Sequence, residues 1–291
     1  MRVAVIGSNG QLGADVVAAF ERRGDEVTSL THAEIELSSF ESVRDCLCAQ
    51  DAGFVVNTAA MHHVEKCEQD PEKAFAVNAV GARNLALATS ESGSVLVHVS
   101  TDYVFDGSKG QPYVETDAPL PLNVYGNSKL AGEYFVRTLN PKHYVIRTSA
   151  IYGKHPCRAK GGLNFVELML KLGRERGRVR VVDSEFVSPT PTADIARQIV
   201  ALSDGNAYGL YHATAEGSCS WHEFAREIFA TAKMPVQVDI ADPSEFPAKV
   251  PRPSYSVLEN LRLKDAGVNV FQPWEAGLAE YLGAAAGVLA S

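Results

Sequence analysis

The chain is short of every feature that would take it out of the ordinary soluble globular class. Cysteine is scarce and unpatterned: Cys46, Cys48, Cys67, Cys157 and Cys219 are odd in number and have no C-x-x-C or zinc-ligand spacing. That excludes a disulfide framework and a structural zinc site, and points to free thiols in a reducing compartment. No apolar run approaches the ~18 residues a membrane span needs. Basic charge is in deficit, with 27 Lys and Arg against 35 Asp and Glu and a net charge of −8. This argues against nucleic acid or an anionic membrane as a partner. A small anionic ligand stays open, because a few local basic residues or one helix N-terminus can hold it. Met1-Arg2 leads straight into a strand-like run with no secretory h-region or cleavage site, so a cytoplasmic location is expected. Internal repeats and low-complexity segments are absent too. The composition that remains, 46% hydrophobic and 21% charged over 291 residues, suits one large domain or two smaller ones with a full core.

The first pattern present is a short apolar run, Val3 to Ile6, followed at once by Gly7-Ser8-Asn9-Gly10-Gln11-Leu12-Gly13 and a helical pattern through Arg23. Strand, glycine turn and helix in that order is the context a dinucleotide fingerprint requires. Gly7 permits the tight turn, Gly10 lets the backbone approach a pyrophosphate, and Gly13 allows the helix to pack closely. The pyrophosphate would sit on the positive end of that helix. A second strand, Glu26 to Leu30, ends at Thr31-His32, where an NAD-specific site usually carries Asp or Glu for the ribose 2′-hydroxyl. With Thr31 there, nothing repels a 2′-phosphate, so NADPH is favoured over NADH, which stays open. His32 either contacts that phosphate or is a solvated loop residue. A strand at Gly53 to Val56 ends in Asn57-Thr58-Ala59-Ala60, small residues against which a cofactor can lie. His62-His63 follows; without a third ligand at helix or hairpin spacing it reads as a loop facing the site, and no metal is expected.

A helix is expected from about Pro71 to Glu91, its proline in the first turn where a missing N–H costs nothing. Then comes the stretch on which the rest converges, Ser100 to Glu133. Val95 to Val99 is an apolar, β-branched run that reads as a buried parallel strand. Thr101 and Asp102 leave the sheet at that strand's end, where open α/β sheets bind ligands. Tyr125 and Lys129 have the spacing that puts two side chains on one helix face. A phenol titrates near pH ~10; a nearby ammonium favours the phenolate, so the phenol can exchange a proton at neutral pH. The Thr101 hydroxyl could bind the same substrate oxygen.

These alternations, with a further strand at His143 to Arg147, predict an α/β fold, a Rossmann-type doubly wound parallel sheet. Residues 1–150 form the NAD(P)-binding domain, rejoined by a strand near 179–183. Residues 151–291 form a smaller α+β, mainly substrate-binding portion interleaved with the first. The segment Lys154 to Gly162 reads as a flexible basic loop, and loops at a site often close over substrate. A short strand is read at Gly209 to Ala213, with helices from Asn164 to about Glu175 and from Trp221 to Thr231.

The glycine spacing G-x-x-G-x-x-G resembles that of extended short-chain dehydrogenase/reductases. Further motifs follow in order: S-T-D-Y-V-F-D-G from Ser100, N-V-Y-G-N-S-K-L-A-G-E from Asn123, R-T-S from Arg147, N-F-V from Asn164, S-P-T-P-T-A-D from Ser188 and G-L-Y-H-A-T from Gly209. Together they resemble the dTDP-4-dehydrorhamnose reductase family of nucleotide-sugar reductases, from Val3 to about Leu282. The resemblance implies that Tyr125 is the general acid for the substrate C4 oxygen. Lys129 lowers its pKa and binds the nicotinamide ribose, and Thr101 hydrogen-bonds the same sugar oxygen. The cofactor would meet Gly7, Gly10, Gln11, Leu12, Gly13, Thr31, His32, Glu36, Leu37, Thr58, Ala59 and Ala60, with Glu36-Leu37 on the adenine side. Asn78 would bond a neighbouring strand's backbone and help place the lysine, unless it is merely solvated. Asp102, Asn164 and Arg252 fall to the substrate, with Arg158 and Lys160 as further basic candidates for its phosphates.

The implied reaction is NADPH-dependent reduction of a dTDP-4-keto-6-deoxy sugar, giving dTDP-L-rhamnose or a close analogue. Related dehydratases carry Asp-Glu after the threonine; Asp102-Tyr103 here favours simple reduction, since a phenol is a poor carbon-directed base. Two departures bear on the sugar rather than the reaction: Ala150 stands where some members carry a bulky aromatic, and the 154–162 loop is longer and more basic. The rival readings are a non-catalytic NADP-binding regulatory subunit of the same fold, like that of animal methionine adenosyltransferase, and an epimerase that recycles bound NAD. A homodimer is left open, though no acidic cluster for a metal-bridged one is seen.

Overall fold

The computed structural model describes residues 1–156, 162–245 and 248–289. The chain begins β1 (Arg2–Ile6), α1 (Gln11–Arg23), β2 (Glu26–Leu30), α2 (Phe40–Gln50), β3 (Phe54–Asn57) and α3 (Val64–Gln69). One interrupted helix follows: α4 (Pro71–Phe75), a π-turn (Ala76–Val80) and α5 (Gly81–Ser92). Then come β4 (Val95–Thr101), a 3₁₀ turn (Asp102–Val104), α6 (Val124–Leu139) and β5 (His143–Thr148). The later part runs β6 (Ile151–Tyr152), α7 (Phe165–Arg176), β7 (Arg178–Val181), β8 (Phe186–Val187), β9 (Thr190–Pro191), α8 (Thr192–Ser203) and β10 (Gly209–His212). It closes with β11 (Cys219–Ser220), α9 (Trp221–Thr231), β12 (Gln237–Ile240), α10 (Leu261–Asp265) and α11 (Trp274–Leu289).

Six strands form one parallel sheet in the order β10-β5-β4-β3-β1-β2. Its strands are apolar runs because helices cover both faces. Successive side chains of a strand alternate in direction, so Val3 and Val5 pack with Leu12, Val16 and Phe20 of α1 and Ile195 and Ile199 of α8. Ala4 and Ile6 turn the other way, against Val43 and Leu47 of α2, Leu85 of α5 and Val136 of α6. The strand order reverses between β1 and β3, and such a switch point opens a crevice at the carboxyl ends of the strands. A separate core, built around Val166, Val179, Phe224, Ile228 and Leu278, holds the later elements together.

One expectation is corrected. The strand near 179–183 does not rejoin the sheet: β7 pairs in parallel with β12, in a two-stranded sheet of its own. The sixth strand is β10, which pairs with β5. The reason is visible in β7 itself, where Arg178 and Arg180 point outward to ion pairs with Asp239 and Glu245 while Val179 and Val181 are buried. A strand polar on one side cannot sit inside a sheet covered on both. The helix expected from Pro71 to Glu91 is present from Pro71 to Ser92 and carries the π-turn within it, a device frequent at functional sites.

Cys46, Cys48, Cys67 and Cys219 are free thiols, as expected. Among the described residues no helix is long and apolar enough to cross a membrane, and no group of His, Cys, Asp or Glu is placed to hold a metal ion. Arg158 and Lys160, within the expected basic loop, lie outside the described residues.

Candidate active site

At the switch point lies a cleft of about 740 Å³, walled by residues from both parts of the chain. One end is the glycine turn. Gly7 has φ +78°, which favours glycine, and a Cβ on Gly13 would lie 2.1 Å from the Gly7 carbonyl oxygen. α1 therefore begins hard against the turn, and no side chain caps its N-terminus. Its first turn also holds the opposite wall: Gln11 Oε1 accepts from the Gly153 amide (3.0 Å) and Asn164 Nδ2 (3.4 Å). Thr58 follows β3 and donates to the Ile6 carbonyl at 2.8 Å, setting Ala59 and Ala60 beside the turn.

Beyond β2 the cleft is lined by Thr31, His32, Glu36 and Leu37. The strand end does carry a carboxylate: Glu34 Oε2 accepts from the Thr31 amide (2.7 Å) and hydroxyl (2.6 Å). These bonds hold its pKa below the ordinary range. His32 is exposed, with Nδ1 3.6 Å from Glu36. A crowded glycine turn, an uncapped helix start and small residues beneath fit a dinucleotide.

The catalytic candidates stand at the middle. Thr101 ends β4, and Tyr125 and Lys129 rise from α6, whose start is capped by Asn123 accepting from the Gly126 amide (2.9 Å). Gly126 lets that helix approach the 3₁₀ turn, since a Cβ there would lie 2.2 Å from the Tyr103 carbonyl oxygen. Thr101 Oγ1 donates to Asp102 Oδ1 (3.0 Å) and accepts from the Tyr103 amide (3.2 Å), beside Tyr125 in the cleft. Asp102 is buried, accepts from Ser149 Oγ (2.8 Å) and meets the Ser256 hydroxyl; burial still lifts its carboxyl above the usual range.

Lys129 behaves differently from expectation. Burial pushes Tyr125 up, the Thr101 hydrogen bond offsets this only in part, and the nearby Asp102 adds to it. The ammonium expected to lower it instead lies deep on the sheet, with Nζ 3.3 Å from His98 Nε2. Burial brings Lys129 itself down to about 8, with Glu133 pulling the other way. Helix spacing puts Tyr125 and Lys129 on one face, and both line the cleft.

Every site residue expected from sequence, other than Arg158 and Lys160, borders this one cleft. Two are committed within the protein. Asn164 caps α7, donating to Gly153 O (2.9 Å) and Tyr281 Oη (3.2 Å) while accepting from the Glu167 amide. Arg252 forms an ion pair with Glu65 at the rim. Asn78, carried on the π-turn, donates to Met61 O (2.9 Å) and Ser128 Oγ (3.0 Å), bracing the loop after β3 against the residue beside Lys129. His62 and His63 face the cleft, and His63 caps α3.

Sequence reasoning missed the far wall. Phe165 packs tilted on Trp221 (centroids 4.6 Å) and stacked on Phe224 (5.6 Å), and Tyr103 meets Tyr125 edge-on at 5.8 Å. Glu185 and Ser256 also line the cleft. Only their positions at helix starts or in polar loops marked them, a signal many surface residues share. Ala150 borders the same space with φ +44°, rare for a residue with a Cβ.

A family model described as "RmlD substrate binding domain" matches residues 1–286. The chain belongs to the dTDP-4-dehydrorhamnose reductase family. It is thus an NAD(P)H-dependent oxidoreductase of the extended short-chain type, acting on a keto sugar. It is 38% identical to a dTDP-4-dehydrorhamnose reductase of Streptomyces griseus, over 96% of this chain and 92% of that one. It is also 38% identical to the spore coat polysaccharide biosynthesis protein SpsK of Bacillus subtilis, over 97% and 96% of the two chains. The crystal structure of the family's reductase from Bacillus anthracis in complex with NADP superposes with a TM-score of 0.92 at 37% identity, covering 97% of this chain and 98% of that one.

Proposed function

We propose that this protein reduces the C4 keto group of a dTDP-4-keto-6-deoxy sugar with NADPH, forming dTDP-L-rhamnose from dTDP-4-dehydrorhamnose or a close analogue. The observation that carries the reading is the meeting of Thr101, Tyr125 and Lys129 in the same cleft as the glycine turn. The names of the relatives support the substrate class, and the NADP complex supports the cofactor.

In this reading Gly7, Gly10, Gln11, Leu12 and Gly13 hold the pyrophosphate, Thr31, His32, Glu36 and Leu37 the adenosine end, and Thr58, Ala59 and Ala60 the floor. Bound NADPH supplies the hydride. The rest is done by side chains. Tyr125, kept protonated by burial, holds a proton at its Oη for the oxygen that becomes the alcohol. Thr101 has one proton and two neighbours that can accept it, Asp102 and the Tyr125–substrate oxygen pair, so Asp102 sets which way that hydroxyl points. Arg252 supplies a cation for the nucleotide phosphates, and Phe165 and Trp221 an apolar face for the base or sugar. Binding energy from that remote nucleotide orients the reacting carbon. The division of labour near residue 150, cofactor before it and substrate mostly after it, belongs to the same proposal.

The test is loss of NADPH absorbance on adding dTDP-4-dehydrorhamnose. Turnover that falls by roughly 10²–10⁴ in Tyr125→Phe is the expected outcome. Unchanged turnover in that variant would remove Tyr125 as the acid, and no NADPH consumption by the wild-type protein would point instead to a binding subunit. Co-purified NAD with no net NADPH use would indicate an epimerase.

A further inference from the structure

Behind Lys129 lies a row of buried polar groups that the reaction as described leaves unused. It begins at a fixed point, the backbone amide of Ala59, which donates to Asn57 Oδ1 at 3.1 Å and thereby settles which end of that side chain is oxygen. The other end, Nδ2, faces His98 Nδ1 at 3.1 Å. An amide nitrogen can only donate, so Nδ1 accepts; a neutral imidazole with Nδ1 accepting carries its proton on Nε2. Nε2 in turn faces Lys129 Nζ at 3.3 Å. Asn57, His98 and Lys129 are each no more than 2% exposed. An ammonium has three donors and no acceptor, whereas the uncharged amine has a lone pair. Turning Asn57 over, or moving the histidine proton to Nδ1, would set donor against donor elsewhere in the row.

The geometry points to Asn57 and His98 as positioning residues: a one-way hydrogen-bond chain, anchored on a backbone amide, that offers an N–H to Lys129 and so stabilises its uncharged amine. The surroundings leave that effect standing. Glu133, on the same helix, favours the ammonium, but it is engaged by Arg147 of β5 (2.7 Å) and Ser100 of β4 (2.5 Å). Toward Tyr125 the titratable neighbours are Asp102 after β4 and Cys67 of α3, whose thiol burial lifts to about 11 and keeps neutral. The π-turn contributes Asn78, which is uncharged. Burial acts in the same direction on both partners, lowering Lys129 and holding His98 well below its ordinary value.

The consequence rests on the reaction proposed above. In that reading Lys129 holds the nicotinamide ribose as an ammonium, and the N–H that His98 offers lowers the pH at which that charge is lost.

Two measurements test this. Long-range ¹⁵N–¹H correlation spectra of the ¹⁵N-histidine-labelled protein, with the His98 signals assigned by their loss in His98→Phe, are expected to show the neutral Nε2–H tautomer at neutral pH. An Nδ1–H tautomer or an imidazolium would overturn the chain. In Asn57→Asp the new carboxylate draws the proton to Nδ1 and makes Nε2 an acceptor. The alkaline limb of kcat, where the ammonium is lost, is then expected to move up by about one pH unit or more. A lower kcat with an unmoved limb would mean that Asn57 is merely structural. The spectra need neither substrate nor turnover, so a protein that reduces no sugar yet shows the tautomer would sink the proposed reaction and leave the chain intact.

Discussion

Lys129 sits where the fold alone would not put a lysine. Burial lowers its pKa from 10.5 to about 8, and each unit of difference between folded and unfolded states is worth about 1.4 kcal/mol. Between those values the unfolded chain binds the extra proton, so the native state is at its full disadvantage below pH 8 and recovers as pH rises toward 10.5. Lys129→Met is therefore expected to abolish turnover while raising stability toward urea at pH 7 by up to about 3 kcal/mol. That gain should shrink as the melts are repeated at alkaline pH. Thr101→Val tests the neighbouring hydroxyl: it removes the donor to buried Asp102, with a loss of about 1–3 kcal/mol and a fall in kcat that Thr101→Ser largely restores. At this scale the sequence was highly legible, because the chemistry sits at strand ends and in one helix turn. The His98 contact was not, since a histidine inside an apolar strand carries no sign of what crosses over it from a helix.

Among the elements, α1 and α6 are the ones fixed most tightly. Gly13→Ala would drive a methyl into the Gly7 carbonyl; overpacking of this kind costs about 1–3 kcal/mol. NADP affinity measured by calorimetry is expected to fall at least tenfold (about 1.4 kcal/mol) as the turn shifts. α6 is bound to β5 through Glu133 and Arg147, both buried, with Arg147 also lying over the Phe105 ring. Glu133→Gln leaves that guanidinium short of a counter-charge, and urea unfolding should show a loss of about 3–5 kcal/mol. Element types were readable from periodicity, but neighbourhood in the sheet was not. β7 and β10 are both four residues long, and only the outward arginines of β7 separate them. The π-turn within the Pro71–Ser92 helix had no local signal at all; it exists to aim Asn78 at Met61 and Ser128.

For the molecule as a whole, acid sensitivity is set by histidines that cannot charge in place. His212 Nδ1 lies 3.0 Å from the Tyr113 carbonyl and 3.2 Å from that of Glu259, so it donates. Burial and nearby Arg147 bring its pKa down to about 3. Below pH ~6.5 the unfolded chain takes up a proton that the folded one refuses, and stability falls with pH by about 1.4 kcal/mol per unit. The raised carboxyls of Asp102, Glu115 and Asp194 act in the opposite sense within their own range. His212→Asn keeps a donor at the Nδ1 position and cannot titrate. The difference between its stability profile and the wild-type one should isolate that slope.

The bond from Gln11 to Gly153 and Asn164 also decides where the molecule can let anything in. One amide oxygen clamps the base of the first helix to the start of α7, so on that side the two walls are riveted together. Across the opposite lip Arg252 reaches to Glu65, a partly solvated pair worth at most about 1 kcal/mol. That lip is held more weakly than the riveted side. Glu65→Ala, which leaves that lip unlatched, should therefore speed nucleotide association in stopped-flow traces.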